Sequence, residues 1–216
     1  MSLKLYFHPL ASFCHKVLIA LYENETAFQP ELVDLGDPRS RAAFLEVWPI
    51  GKFPVLRDES KGLTLPESTI IIEYLAENYP GKVALVPDDA DLALQVRLRD
   101  RFYDLYVDVP MGKIVTDRLR PAGSNDSFGV AQAREGLLTA YSIIEHEMKS
   151  NTWATGDQFT MADCAAAPAL FFANKVLPFG PTHPNVARYL ERLMNRPSFA
   201  RVLREAEPYL PSMPQA

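Results

Sequence analysis

The stretch Gly51-Lys52-Phe53-Pro54-Val55-Leu56 is followed, after a short interval, by Pro66-Glu67-Ser68-Thr69 and the helical run Ile70-Ile71-Ile72-Glu73-Tyr74-Leu75. A proline opening a strand allows the preceding peptide bond to be cis. Such a strand entry leaves the N–H and C=O of Phe53 free to pair with an extended peptide, as an added strand does. Ser68 at a helix start offers a hydroxyl beside unsatisfied N–H groups, where a carboxylate is welcome. Lys52 adds a second contact for an anion, and Glu67 suits an ammonium group. The expected ligand is short, has carboxylates at both ends and carries an amine near one of them.

Working outward, the first eighty residues alternate strand and helix. Leu3 to Phe7 reads as a short apolar strand, and from Ser12 the pattern turns helical, with Phe13, Val17, Ala20 and Leu21 on one face. Glu31 to Asp34 is a weak second strand, Phe44 to Trp48 a short helix, and Val55–Arg57 and Leu63–Leu65 are strands around the turn at Lys61-Gly62. A helix from Ser68 to about Asn78 closes a β-α-β-(α)-β-β-α order, which places helices on both sides of a mixed four-stranded sheet.

Tyr79-Pro80-Gly81 and Val86-Pro87-Asp88-Asp89 break the pattern, so residues 81–90 read as a linker between an α/β domain over 1–80 and an all-helical domain over 91–216. In the second part Leu92 to about Leu119 forms one helix or two, with a kink at Pro110. Val130, Leu137, Leu138, Tyr141, Ile144 and Met148 trace an apolar stripe, as do Val186, Tyr189, Leu190, Leu193 and Met194. Thr160-Met161-Ala162-Asp163 is a capping-box pattern opening a nearly all-apolar, and therefore buried, helix. Arg196-Pro197-Ser198-Phe199 starts the last helix, and Pro211 to Ala216 reads as a loose tail.

A chain of 216 residues, 48% hydrophobic, buries a substantial core. A net charge of −5 argues against nucleic acid or an anionic membrane as the main partner. No apolar run approaches the roughly 20 residues of a membrane span. The N-terminus lacks a signal-peptide pattern. Two cysteines without CxxC spacing suggest a reduced compartment and neither zinc nor a disulfide frame. Together these place the protein in the cytoplasm, with no metal.

Over almost its full length the chain resembles the cytosolic glutathione transferases. The resemblance rests on Gly51-Lys52-Phe53-Pro54-Val55-Leu56, on Glu67-Ser68 with Ile72-Glu73-Tyr74-Leu75, on Gly156-Asp157-Gln158-Phe159-Thr160-Met161-Ala162-Asp163 and on Arg196-Pro197, all in order. It is nearest to bacterial members and to those using serine or cysteine. Glutathione also fits the ligand drawn from the socket itself. The resemblance implies a thioredoxin-like N-terminal domain, a helical C-terminal domain and a homodimer with a glutathione site on each subunit. Detoxifying conjugation of a small hydrophobic electrophile is the activity it implies.

The chemistry needs a thiolate, because a free thiol with a pKa of about 8.5 is only a few per cent ionised at neutral pH. A hydroxyl donor and the positive end of a helix both favour the anion. Ser12, in the loop His8-Pro9-Leu10-Ala11-Ser12-Phe13-Cys14-His15-Lys16, is the chosen donor. In the serine and cysteine classes the active residue lies five positions before a basic residue. Counted from Lys16, that slot holds Ala11, one place before Ser12. Tyr6 at the end of the first strand and Cys14 in the first helical turn are the rivals. Cys14 opens an alternative of isomerase, peroxidase or disulfide reductase chemistry, and Ala11 one of a non-catalytic binding or scaffold protein.

The glutathione contacts are expected from Ser12, Lys52, Phe53, Pro54, Glu67 and Ser68. Tyr103, Tyr106 and Met111 are the candidates for an electrophile pocket, with Phe102 and Phe172 beside them.

Overall fold

A computed structural model describes residues 2–212. Four strands, β1 (Leu3–Phe7), β2 (Gln29–Leu32), β3 (Val55–Asp58) and β4 (Leu63–Pro66), form one mixed sheet in the order β2-β1-β3-β4. β2 runs parallel to β1, while β3 is antiparallel to both β1 and β4. Alternation along the strands divides the sheet's faces. Leu3, Leu5 and Leu56 pack under α1 (Ser12–Glu23) and α3 (Ser68–Asn78). Tyr6 and Val55 face α2 (Pro38–Val47), packing with Phe44. β2 begins two residues before the expected stretch. α2 starts well before Phe44, because Asp37 accepts the Ser40 N–H and Pro38 sits in the first turn.

The remainder is helical: α4 (Ala90–Phe102), α5 (Val109–Asp117), α6 (Ser127–Glu147), α7 (Met161–Val176), α8 (Pro184–Met194) and α9 (Pro197–Ala206). α4 and α5 are joined without a break by a wide π-helical turn over Tyr103–Asp108. The expected kink at Pro110 takes this form: the proline N cannot donate, and the wider turn precedes it. Residues 79–89 contain no helix or strand. Within them Leu85 is buried, and its carbonyl accepts the Met161 N–H, docking the segment on the first turn of α7.

The capping box is present. Thr160 caps α7, and Asp163 accepts the N–H groups of Thr160 at 2.9 Å and Ala154 at 2.8 Å. Two expected inward residues point outward: Leu138 is 45% and Met194 37% exposed. The 3-10 turn Glu207–Ser212 follows α9, so Pro211 is part of a turn; residues 213–216 of the expected tail lie outside the described residues.

α1 links the two halves. Every residue from Cys14 to Leu21 is buried, because the helix has the sheet on one side and α7 and α9 on the other. At its C-terminal end Glu23 receives a two-pronged bond from Arg196 at 2.7 and 2.6 Å. Among the described residues no helix is long and apolar enough to cross a membrane.

Candidate functional site

The two sequence signatures meet at one cleft, enclosing about 190 Å³ where the sheet half faces α4, the π turn and α5. From the sheet side it is lined by Trp48, Lys52, Phe53, Pro54, Glu67 and Ser68, together with Phe13 of α1. The helical side supplies Arg101, Asp104, Leu105 and Val109. The Phe53–Pro54 peptide is cis, as expected. β3 begins only at Val55, so Phe53 lies outside the strand ladder.

Glu67 is the N-cap of α3 with φ at 69°, a region where non-glycine residues carry strain and which clusters at functional sites. Its side chain caps nothing, and the first turn of α3, including the nearly buried Ser68, presents its N-terminal donors. Lys52 is exposed at the rim.

The first turn of α1 reaches the same space through Phe13, while Ser12 and the β1–α1 loop before it are not part of its lining. Ala11 is the N-cap of α1 and Ser12 its first residue, so the Ser12 hydroxyl does not serve as the cap. It lies close to the buried carboxyl of Asp108 on the helical half, and the contact favours the ionised carboxyl.

The rivals stand elsewhere. Tyr6 is half-buried between the sheet and α2, its ring 6.0 Å from Phe44, and it is absent from the cleft lining. Cys14 lies in the first turn of α1, where a depressed thiol pKa is expected. Burial pushes it up to about 12 instead, only partly offset by a contact with the His8 backbone. A thiol so placed holds its proton and is not a nucleophile at neutral pH. His8 accepts the Leu10 N–H and stacks on Phe53 at 5.9 Å. His15 is buried against Phe172, and burial lowers its pKa to about 4, so it stays neutral.

The expected aromatic pocket is corrected. Tyr103 is 1% exposed and sits deep in the helical core beside Asp163 and Tyr189. Met111 and Phe172 are likewise core residues. Tyr106 is exposed and packs on Phe102, and neither lines the cleft. The apolar wall is made by Phe13, Trp48, Leu105 and Val109 instead.

Beneath the cleft lies a charge cluster that the sequence reading did not assemble. The Lys16 ammonium is fully buried, 2.7 Å from Asp100 and 2.8 Å from Asp104, and it donates to the Thr69 hydroxyl at 2.9 Å. Thr69 in turn donates to Asp100 at 2.6 Å, and Arg101 reaches Asp104 at 2.9 Å. Burial raises the Asp100 carboxyl, with Lys16 opposing. The available signal was the spacing of Asp100, Asp104 and Asp108, four apart along one helical run. Among the described residues no group of histidine, cysteine and carboxylate side chains is placed to hold a metal.

Comparison with known proteins agrees with this architecture. The glutathione S-transferase N-terminal domain model matches residues 5–83, and the C-terminal domain model matches residues 102–197. A glutathione S-transferase of Pseudomonas putida is 26% identical, covering 97% of this chain and 95% of its own. Glutathione S-transferase GstB of Escherichia coli K12 is 27% identical, covering 87% of this chain and 91% of its own. A crystal structure of a Methylobacillus flagellatus glutathione S-transferase with GSH bound superposes with a TM-score of 0.85 at 26% identity, covering 93% of this chain and 98% of that one. The four-stranded sheet, the helical half and both domain matches make this chain a member of the glutathione S-transferase family.

Proposed function

We propose that this protein joins the thiolate of glutathione to small apolar electrophiles. One observation carries the proposal: Lys52, Phe53, Glu67 and Ser68 converge on a single cleft whose helical side sets Leu105 and Val109 beside Arg101 and Asp104. Residues 1–80 bind the tripeptide and residues 91–216 complete the electrophile side. One carboxylate of glutathione docks at the N-terminus of α3 on Ser68, and Lys52 takes the other. Glu67 takes the ammonium group, and the extended Phe53 backbone pairs with the peptide beside Pro54. Ser12, at the positive end of α1, donates to the sulfur. The electrophile lies against Phe13, Leu105 and Val109.

A homodimer fits the outer face of α4 and its continuation, where Leu94, Leu98, Tyr106 and Val109 are all more than half exposed, with Ile70 of α3 nearby. A detoxifying enzyme of the cytoplasm accords with these features.

The test is glutathione binding by calorimetry, followed by a pH titration of the bound thiolate's ultraviolet absorbance. Binding with a thiol pKa well below 8.5 is expected. Absence of binding at millimolar glutathione would overturn the proposal.

A further inference from the structure

A second cavity, of about 430 Å³, lies between the edge of the sheet and α9, and among the described residues it shares no lining with the cleft. Three stripes of side chains enclose it. β2 is the edge strand, and Phe28, Pro30 and Leu32 alternate along it onto one face. α1 supplies His15, Leu18 and Tyr22, which helical spacing brings to one side. α9 closes the third side with Val202 and Ala206, and Arg201 and Glu205 stand at its rim. Leu32 is 52% exposed, so the mouth itself is apolar. The α4 face proposed for the dimer contributes none of this lining, and pairing there leaves the cavity open.

Rings dominate the walls. Tyr22 and Phe28 stand with centroids 6.0 Å apart, and Phe7, His15 and Tyr209 add three more rings. The charges at the rim answer each other. Arg201 Nε donates to Glu205 at 2.8 Å, and the Tyr22 hydroxyl donates to the other oxygen of that carboxylate at 2.6 Å. The Arg201 guanidinium lies over the Tyr22 ring, 3.8 Å from its centroid. His15 is neutral, so among the described lining residues the net charge is zero. Arg201 keeps further N–H groups, and Glu205 keeps lone pairs, for a polar group that carries no charge. At the other end Tyr209 meets His8 edge-on at 6.1 Å, and His8 stacks on Phe53 at 5.9 Å. His8 thus stands between the cavity and the cleft.

We propose that this cavity is a second binding site, for an uncharged aromatic molecule with one polar edge. Its volume falls within the roughly 300–1,000 Å³ of small-molecule pockets, whereas close-packed interiors hold few voids larger than a water molecule. Ring-lined walls favour a ligand whose own rings stack or meet them edge-on. The polar edge of the ligand lies at Arg201 and Glu205, and its rings run past Leu18 and Phe28 towards Tyr209. An anion brought to the same place meets the Glu205 carboxylate, and a cation meets the Arg201 guanidinium, so either charge loses its water for little return. The molecule enters past the exposed Leu32 without crossing the cleft. Nothing in the site calls on glutathione, so it stands apart from the function proposed above.

The probe is N-phenyl-1-naphthylamine, an uncharged aromatic amine whose fluorescence rises in apolar surroundings; 8-anilino-1-naphthalenesulfonate has the same rings and a negative charge. Titrated into the full chain, the neutral probe should bind once per chain with a Kd on the order of 10 μM. It should stay bound when S-hexylglutathione fills the cleft, and the sulfonate should bind at least about tenfold more weakly. Leu32→Glu places a charge at the mouth, at a position exposed enough to spare the fold, and should weaken the neutral probe by about tenfold or more. Ala206→Leu fills the cavity from α9 and should do the same. Displacement of the probe by S-hexylglutathione, or unchanged affinity in the Leu32→Glu chain, would place it elsewhere and overturn the site. Absence of binding would overturn it too. A sulfonate bound as tightly as the amine would overturn the uncharged ligand.

Discussion

The N-termini of α1 and α3 border the same interdomain space, and neither has a side-chain cap. The helices α2, α4 and α6 instead open on Asp37, Asp89 and Asp126, each accepting a first-turn N–H, and none of these lines the cleft. The two bare ends then diverge. The end of α3 faces Lys52 and Arg101 in an open cleft, where unsatisfied donors and cations suit an anionic ligand. The end of α1 faces the buried carboxyl of Asp108 beside the pair formed by Lys16 and Asp104. On the proposed function, the α3 end holds charge that arrives with the ligand and the α1 end favours charge that forms on its sulfur.

The largest effect on this contrast is expected at Lys16. Lys16→Ala leaves Asp100 buried without its cation and Asp104 with Arg101 alone. Removing one member of a buried ion pair destabilises by about 3–5 kcal/mol. Urea unfolding of the variant should show a loss of that order. A loss under about 1 kcal/mol would mean that the cluster is hydrated, and that the α1 end is no more buried than the α3 end.

Ser12→Ala comes next and acts on chemistry. Losing one aligned donor to a developing anion typically lowers turnover about 100-fold. The expected result is a kcat/KM down by about that factor, a bound thiol pKa raised towards that of free glutathione, and a glutathione Kd nearly unchanged. An equal fall in affinity would show that α1 binds as α3 does, and the contrast would fail.

Asp108→Asn sharpens the same end through stability. The native carboxyl sits near 7 while an unfolded one sits near 4, so the folded state favours the protonated form. Its ionisation therefore subtracts stability progressively as pH rises from about 4 to about 7. The asparagine variant escapes this, so its stability relative to the natural protein should improve across that window and stay level above it. A flat difference across pH would place Asp108 in solvent contact.

How much of this was readable depends on the range of the signal. The gathering of Lys52, Phe53, Pro54, Glu67 and Ser68 around one cleft was legible because turn and cap chemistry is local, and Thr160 to Asp163 was legible for the same reason. The electrophile wall was not. The π turn over Tyr103–Asp108 resets the helical phase, so spacing put Tyr103 in the cleft when it belongs to the core, and passed over Leu105 and Val109. α1 is buried all round, so its periodicity marks no single face and gave no sign that Lys16 lies inside. The carboxylates that face Ser12 and Lys16 lie more than eighty residues away, beyond any local pattern.

At the α3 end, Ser68→Ala should weaken glutathione binding by about tenfold, the order expected for a hydrogen bond to a charged group. The pKa of whatever thiol still binds should not move, because the role proposed for Ser68 is to hold a carboxylate of the tripeptide and not its sulfur. Lys52→Ala removes an exposed contact, so a smaller, salt-sensitive loss of a few-fold is expected. The smallest effect of all belongs to Tyr6→Phe. Its ring packs between the sheet and α2, and its hydroxyl has no place in the cleft lining, so affinity and thiol pKa should both stay within about twofold. The phenylalanine keeps the ring against Phe44, which separates loss of a donor from loss of packing. A tenfold fall in kcat/KM for this variant would move the activating hydroxyl from the α1 terminus to the end of β1, and with it the half of the comparison that rests on Ser12.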